Sequence, residues 1–192
     1  MKIEIGSNEA GQRLDKFLRK LLKDVPLSAI FKAIRKGDIR VNGKKQKEKY
    51  SLLEGDEVEI RYIQSKKENK TNFIQVDSSG LKVVYEDENV LIVEKWPGVL
   101  VHPDSKGSEA TLTDYVLSYL NEKGDYRPEE EITFTPASCN RLDRNTSGVV
   151  IFGKNFEALK TLNEVVREGQ VKKYYYTLVK GKLKDGVYKG YI

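Results

Sequence analysis

Histidine, cysteine, methionine and tryptophan each occur once in this 192-residue chain. A lone cysteine, Cys139, excludes an internal disulfide and fits a reducing compartment. One Cys and one His, His102, cannot supply the four ligands of a usual structural zinc site. No carboxylate cluster has metal-ligating spacing, so no metal is expected. No stretch approaches the roughly 20 apolar residues of a membrane-spanning helix. The opening MKIEIGSNEAG lacks the apolar core of an export signal. The expectation is a cytoplasmic chain with no membrane partner. Ser147 lies outside any Gly-x-Ser-x-Gly elbow and has no evident histidine partner, which argues against a serine hydrolase.

What the chain does have is a core and an uneven charge. Apolar residues make up 39%, enough for one medium domain or two small ones. The net charge is +5. Residues 1–62 hold 15 basic and 10 acidic residues, whereas residues 63–192 hold 19 of each. The whole excess therefore sits in the N-terminal third, a pattern that suits an anionic partner.

Three segments follow from this: a first module at 1–62, a polar linker at 63–80 beginning IQSKKENKTN, and a second module at 81–192. In the first, Leu14, Phe17, Leu18, Leu21 and Leu22 recur at helical spacing. Ser28 is placed to cap a second helix carrying Ile30, Ala33 and Ile34 inward, and Gly37 to end it. Asn42-Gly43 marks a hairpin turn, and GDEVEIRY alternates as a closing strand. Arg13, Lys16, Arg19, Lys32, Arg35 and Lys36 fall on the outer faces of the two helices, within a stretch (13–49) of 13 basic and 4 acidic residues. Basic faces on successive helices suit a phosphate backbone, and duplex RNA is read largely by shape and backbone.

In the second module, LKVVYEDENVLIVEKWPG reads as strand, acidic turn, strand and a Trp-Pro-Gly corner. Thr111 or Thr113 starts a helix that Gly124 ends, and Asn155 caps another that Gly169 ends. SGVVIFGK reads as a buried strand, and VKKYYYTLVKG and GVYKGYI as further strands. Strands outnumber helices, so the expected class is α+β with a mainly antiparallel, mixed sheet. The segment ASCNRLDRNTSG then raises a chemical question. Asp143 stands between Arg141 and Arg144, in a turn-rich stretch before a strand. Flanking arginines favour the ionised carboxylate, which can act as nucleophile or base. From spacing alone, a turn or capping acid paired to an arginine is the favoured reading.

The first module, through RLDKFL, IRKGDIRVNG and EGDEVEI, resembles the S4 RNA-binding domain. Pro26-Leu27-Ser28 replaces the Ser-Arg pair that many such domains carry before the second helix. The second module resembles the catalytic domain of the RluA-type pseudouridine synthases of large-subunit ribosomal RNA. The carriers are NRLDRNTSG followed by VVIFGK, VLIVEKWPGVLVHP, ATLTDYVLSYL and KYYYTLVKG; Asn140 stands where many members have His. The resemblance implies that Asp143 is the essential carboxylate in converting uridine to pseudouridine, by attack on C1′ or by removal of the C2′ proton. It implies further that Tyr175 stacks on the flipped base, with Tyr174 and Tyr176 on the other face. Arg141 would brace the gap left in the RNA, Lys173 support the site, and Arg144 contact a phosphate or balance charge. No cofactor is implied. The partner is RNA, most readily the large-subunit ribosomal RNA.

Family catalytic domains continue past this point to a Gly-Arg-Thr-His-Gln-type segment, which the sequence lacks. The resemblance thus implies an incomplete catalytic domain, part of a longer protein that is monomeric when whole. Two other readings stand beside the synthase. One is a non-catalytic RNA-binding protein; the other is a glycosidase-like hydrolase, which needs a second carboxylate that no motif supplies.

Overall fold

The structure, a computed structural model, describes residues 1–63, 74–104 and 109–189. Most of the expected linker lies outside the described residues. Eleven elements follow in chain order: β1 (Lys2–Glu4), α1 (Leu14–Leu21), α2 (Leu27–Lys36), β2 (Ile39–Val41), β3 (Glu57–Ile60), β4 (Lys82–Glu86), β5 (Val90–Lys95), α3 (Leu112–Lys123), β6 (Ala137–Ser138), β7 (Gly148–Gly153) and α4 (Phe156–Arg167). The architecture is α+β, and every strand pairing among the described residues is antiparallel.

Two hydrophobic clusters organise the chain. In the first, Leu14, Phe17, Leu18, Leu21 and Leu22 of the α1 region meet Ile30, Ala33 and Ile34 of α2. They close over Ile39, Val41, Val58 and Ile60 of a three-stranded sheet ordered β1-β3-β2. Each fully buried aliphatic side chain contributes about 1.5–3 kcal/mol. The turn after β2 is the expected one: Asn42 (φ 51°) and Gly43 (φ 72°) both take the left-handed conformation, and Val41 and Lys44 exchange backbone hydrogen bonds at 2.9 Å. Buried Asp56 secures this corner, accepting from Asn42 Nδ2 (2.7 Å), Tyr50 Oη (3.0 Å) and the Leu53 amide (2.9 Å).

Two local expectations need correction. Ser28 does not cap α2: the cap is Pro26, whose carbonyl accepts from the Ala29 (2.9 Å) and Ile30 (3.2 Å) amides. Proline's ring already holds φ at −58°, so the helix opens ahead of Ser28. Strand β1 is an addition, pairing Lys2–Glu4 with Glu57–Glu59.

The second cluster lies between α3 and one face of a four-stranded sheet ordered β4-β5-β7-β6. Leu91 and Val93 of β5 and Val150 and Phe152 of β7 point at Leu112, Val116, Leu117 and Leu120 of α3. Thr111 caps α3 through a complete capping box with Asp114, Gly124 ends it, and Asn155 caps α4 through the Ala158 amide. Glu86 fastens β4 to this layer: its carboxylate accepts from Lys123 (2.7 Å), Lys154 (2.8 Å) and Tyr119 (2.8 Å).

Residues 171–181 and the described part of 186–192 do not form the expected strands. Their aromatic and β-branched residues suit a sheet, but a strand exists only where a neighbour takes its hydrogen bonds, and none of the described strands pairs with them. Tyr174, Tyr175, Tyr176 and Leu178 are consequently exposed.

Candidate active site

Asp143 sits on a loop between β6 and β7 that is gripped at both ends. At the entrance, the Cys139 amide donates to the Ile151 carbonyl (2.7 Å). The Asn140 side chain then imitates a strand residue: its Oδ1 accepts from the Ile151 amide (2.9 Å) and its Nδ2 donates to the Val149 carbonyl (3.1 Å). Two-residue β6 is thereby prolonged by a side chain, and the backbone is released to turn outward at Arg141. Next comes a turn in which the Thr146 amide donates to the Asp143 carbonyl (3.1 Å). The Asp143 side chain is exposed.

The exit is held from beneath by Lys95. As the last residue of β5 it follows Leu91 and Val93 on the core-facing side, and it lies opposite Gly148 in the β5–β7 register. Its side chain is fully buried. The ammonium donates to the carbonyls of Val99 (2.7 Å), Arg144 (2.9 Å) and Trp96 (3.1 Å). Burial pushes its pKa below the ordinary lysine value, helped by the Arg144 charge and opposed by that of Asp143. The Gly98 amide also donates to the Arg144 carbonyl (2.9 Å), and Arg144 Nη1 returns a bond to the Gly98 carbonyl (3.3 Å). The Trp-Pro-Gly corner and the residue after Asp143 are therefore interlocked.

The two arginines do not close on Asp143. Arg144 turns away to Glu109 (2.6 Å) and Asp104 (3.6 Å). Asp143 forms none of the ion pairs found among the described residues. Arg141 is exposed and lies near enough to His102 to lower its pKa, after the larger effect of burial. Lys173 and Tyr175 line a cleft of ≈ 650 Å³ together with Asn140, Leu142, Asn145 and Thr146. The loop flanking Asp143 and the Lys-x-Tyr segment thus border one space. Asp143, Arg141 and Arg144 are not among the residues lining it. Tyr175 reaches the cleft from an irregular, exposed segment, and Tyr174 and Tyr176 line it too, because the strand that would have turned them to the opposite face is not formed.

Sequence comparison decides the family. The profile described as RNA pseudouridylate synthase matches residues 89–192, and the S4 domain profile matches residues 12–58. The chain belongs to the RNA pseudouridylate synthase family. Among curated proteins, it is 38% identical over 189 residues to ribosomal large subunit pseudouridine synthase C of Salmonella typhi, covering 96% of this chain and 56% of that protein. The Escherichia coli K12 protein of the same name gives the same identity and coverage, and that of Vibrio vulnificus is 35% identical over 188 residues. The chain spans about half the length of the curated relatives it matches.

Within this pseudouridylate synthase family member, the basic residues of the S4 module fall into two groups. Lys16, Arg19, Lys32, Arg35 and Lys36 are exposed. Arg13 is instead held by Asp15, through Nε (3.0 Å) and Nη2 (2.7 Å), and is half-buried. Cys139 is a buried thiol whose pKa burial pushes up to about 11, so it is chemically quiet at neutral pH. His102 bridges two hydroxyls. Thr113 Oγ1 donates to the Val101 carbonyl (2.7 Å) and so accepts from Nδ1 (3.3 Å), leaving Nε2 to accept from Ser138 Oγ (3.0 Å). Such a ring ties the 101–104 segment to β6.

Lys95 and Asn140 are the residues that sequence reasoning did not single out as positioning the loop. The signal for Lys95 was its place at the end of the apolar run VLIV, on the inward parity of the strand. For Asn140, nothing in the local pattern distinguishes a side chain that completes a sheet edge from an ordinary turn residue.

Proposed function

We propose that the loop carrying Asp143 converts uridine to pseudouridine in large-subunit ribosomal RNA, in the cytoplasm. The observation that carries this reading is an exposed carboxylate on a loop pinned by a buried lysine, beside a cleft bordered by Lys173 and Tyr175. Family membership supplies the reaction class, and relatives named for the large ribosomal subunit supply the RNA.

The reaction breaks the N1–C1′ bond of the uridine, turns the uracil and joins C5 to C1′. The C5 hydrogen is lost as a proton and N1 gains one, so the atoms balance with no redox change. Asp143 either attacks C1′, forming a sugar ester that the turned base displaces, or takes the C2′ proton and returns it. A base inside a helix is out of reach, so the nucleotide must be extruded, at a cost of a few kcal/mol. Tyr175 offers an aromatic face to the extruded base, Lys173 a cation at the cleft, and Arg141 a side chain to fill the vacated stack. Exposed Lys16, Arg19, Lys32, Arg35 and Lys36 offer phosphate contacts from the S4 module, and Arg13 contributes less because Asp15 already holds it.

Replacing Asp143 by Asn in the full-length protein tests the assignment. Uridine isomerisation is expected to disappear while RNA affinity stays within about twofold. Five phosphate contacts to a duplex would give a salt slope of about −4.5 in log–log form. Persistent isomerisation in Asp143→Asn removes Asp143 from the chemistry. No isomerisation in the parent, with a steep salt slope, favours an RNA-binding module without catalysis.

A further inference from the structure

The two modules are joined by a built seam. Across it, Asn8 Nδ2 donates to both carboxylate oxygens of Glu131 (3.0 and 3.2 Å), and the Phe156 amide donates to Asn8 Oδ1 (3.4 Å). Glu9, almost fully buried, accepts from the Thr133 amide (3.2 Å) and hydroxyl (3.1 Å). Gln12 Nε2 donates to Thr133 Oγ1 (3.3 Å) and to the Asn8 carbonyl (2.9 Å). Ile132, between the two anchored residues, packs into the hydrophobic cluster of the S4 module. Lys20 of α1 lies over the Phe156 ring at 5.8 Å and donates to Gln12 Oε1 (3.2 Å).

The position of this strap in the chain gives it significance. Residues 131–133 lead through buried Phe134 and Pro136 into β6, and Thr133 precedes Asp143 by ten residues. The same helix that presents Lys16 and Arg19 to solvent places Lys20 at the edge of the seam, over Phe156. A continuous series of contacts therefore runs from the basic helix, through Gln12 and Asn8, to the segment that leads into β6 and the Asp143 loop.

We propose that Asn8, Glu9 and Gln12, clamping Glu131 and Thr133, are specificity-determining residues: they fix the register between RNA held on α1 and α2 and the nucleotide offered to Asp143. The chemistry so directed rests on the function proposed above. The seam itself does not depend on it, because the register is a property of RNA placement.

The experiment places a photoreactive side chain at position 145, beside Asp143, in the full chain, and maps cross-links to large-subunit ribosomal RNA. The parent is expected to cross-link one RNA segment preferentially. With Asn8→Ala and Gln12→Ala together, preference for that segment over others should fall at least tenfold, while overall affinity changes less than threefold. In the Gln12→Ala background, Asn8→Cys and Glu131→Cys joined by a short bismaleimide should restore the parent pattern, since Cys139 is buried and its thiol is held protonated. An unchanged cross-link pattern in the double variant, or failure of the tether to restore it, overturns the proposal. If the double variant loses its secondary structure, Thr133→Val, which replaces the hydroxyl that joins Glu9 and Gln12 by a methyl, takes its place, and an unchanged cross-link pattern there overturns the proposal. A parent that isomerises no uridine overturns the function proposed above, and the cross-link contrast still decides the seam.

Discussion

Replacing Lys95 with Met would expose how strongly the Asp143 loop depends on one buried ammonium. The wild-type group makes three hydrogen bonds to carbonyls at 2.7–3.1 Å from a fully buried position. Bonds from a charged donor are worth about 1.5–3 kcal/mol each, which sets a ceiling of about 5–9 kcal/mol. Against that stands the desolvation penalty of a buried cation, several kcal/mol, which Met removes while filling much of the same volume. The Arg144 carbonyl also keeps the Gly98 amide as a donor, so it is not abandoned. The expected net loss is about 2–4 kcal/mol, a large share of the about 5–15 kcal/mol that stabilises a domain. Urea unfolding measures the global part. The local part is read by hydrogen exchange at the Gly98 amide, whose acceptor is the Arg144 carbonyl, and exchange there should accelerate. A change below about 0.5 kcal/mol, typical of an unimportant surface site, together with unaltered exchange at Gly98, would refute the view that Lys95 pins the loop.

Two further outcomes test the frame around the site. Burial alone would raise the Glu86 pKa, but hydrogen bonds from Lys123, Lys154 and Tyr119 outweigh it and hold the group down to about 2, from an ordinary 4.5. A depressed carboxylate pKa stabilises the fold fully above the unfolded value, so about 3 kcal/mol should be lost as pH falls from about 4.5 to about 2. Acid unfolding of wild type beside Glu86→Gln checks this, and parallel loss in the two would rule it out. Gly153→Ala should destabilise by about 1–3 kcal/mol, because an added Cβ would lie 2.6 Å from Leu159 Cα and 2.8 Å from Leu159 N, forcing α4 away from β7. Thermal unfolding is the measurement, and an unshifted midpoint contradicts the close approach.

Features governed by near neighbours along the chain are legible in the sequence itself. The apolar spacing from Leu14 to Leu22 dictates one buried helical stripe, whatever the rest of the chain does. Asn42-Gly43 makes its own turn because few other pairs tolerate positive φ at both positions. Thr111 and Asn155 cap helices through atoms three residues away. The NRLDRNTSG stretch is likewise marked by its own residues as the place to look for chemistry.

Features governed by distant partners are not. The strand expected at 171–181 has the aromatic and β-branched residues that favour a sheet, yet composition supplies only one side of a ladder. Ser28 has the chemistry of a helix cap, but proline two residues earlier has already set the backbone. The arginines beside Asp143 look like its partners in one dimension; folding hands Arg144 to Glu109, 35 residues away. Lys95 reads as an ordinary solvated charge until β5–β7 register turns it inward, opposite Gly148. Asn8 meets Glu131 across 123 residues. By itself the sequence determined which segments become helices, turns and a chemically suggestive loop, since those depend on interactions a few residues long. Only the tertiary structure decided what holds that loop and what the S4 module rests against, because buried charges and hydrogen bonds take whatever partner the closed chain brings within reach.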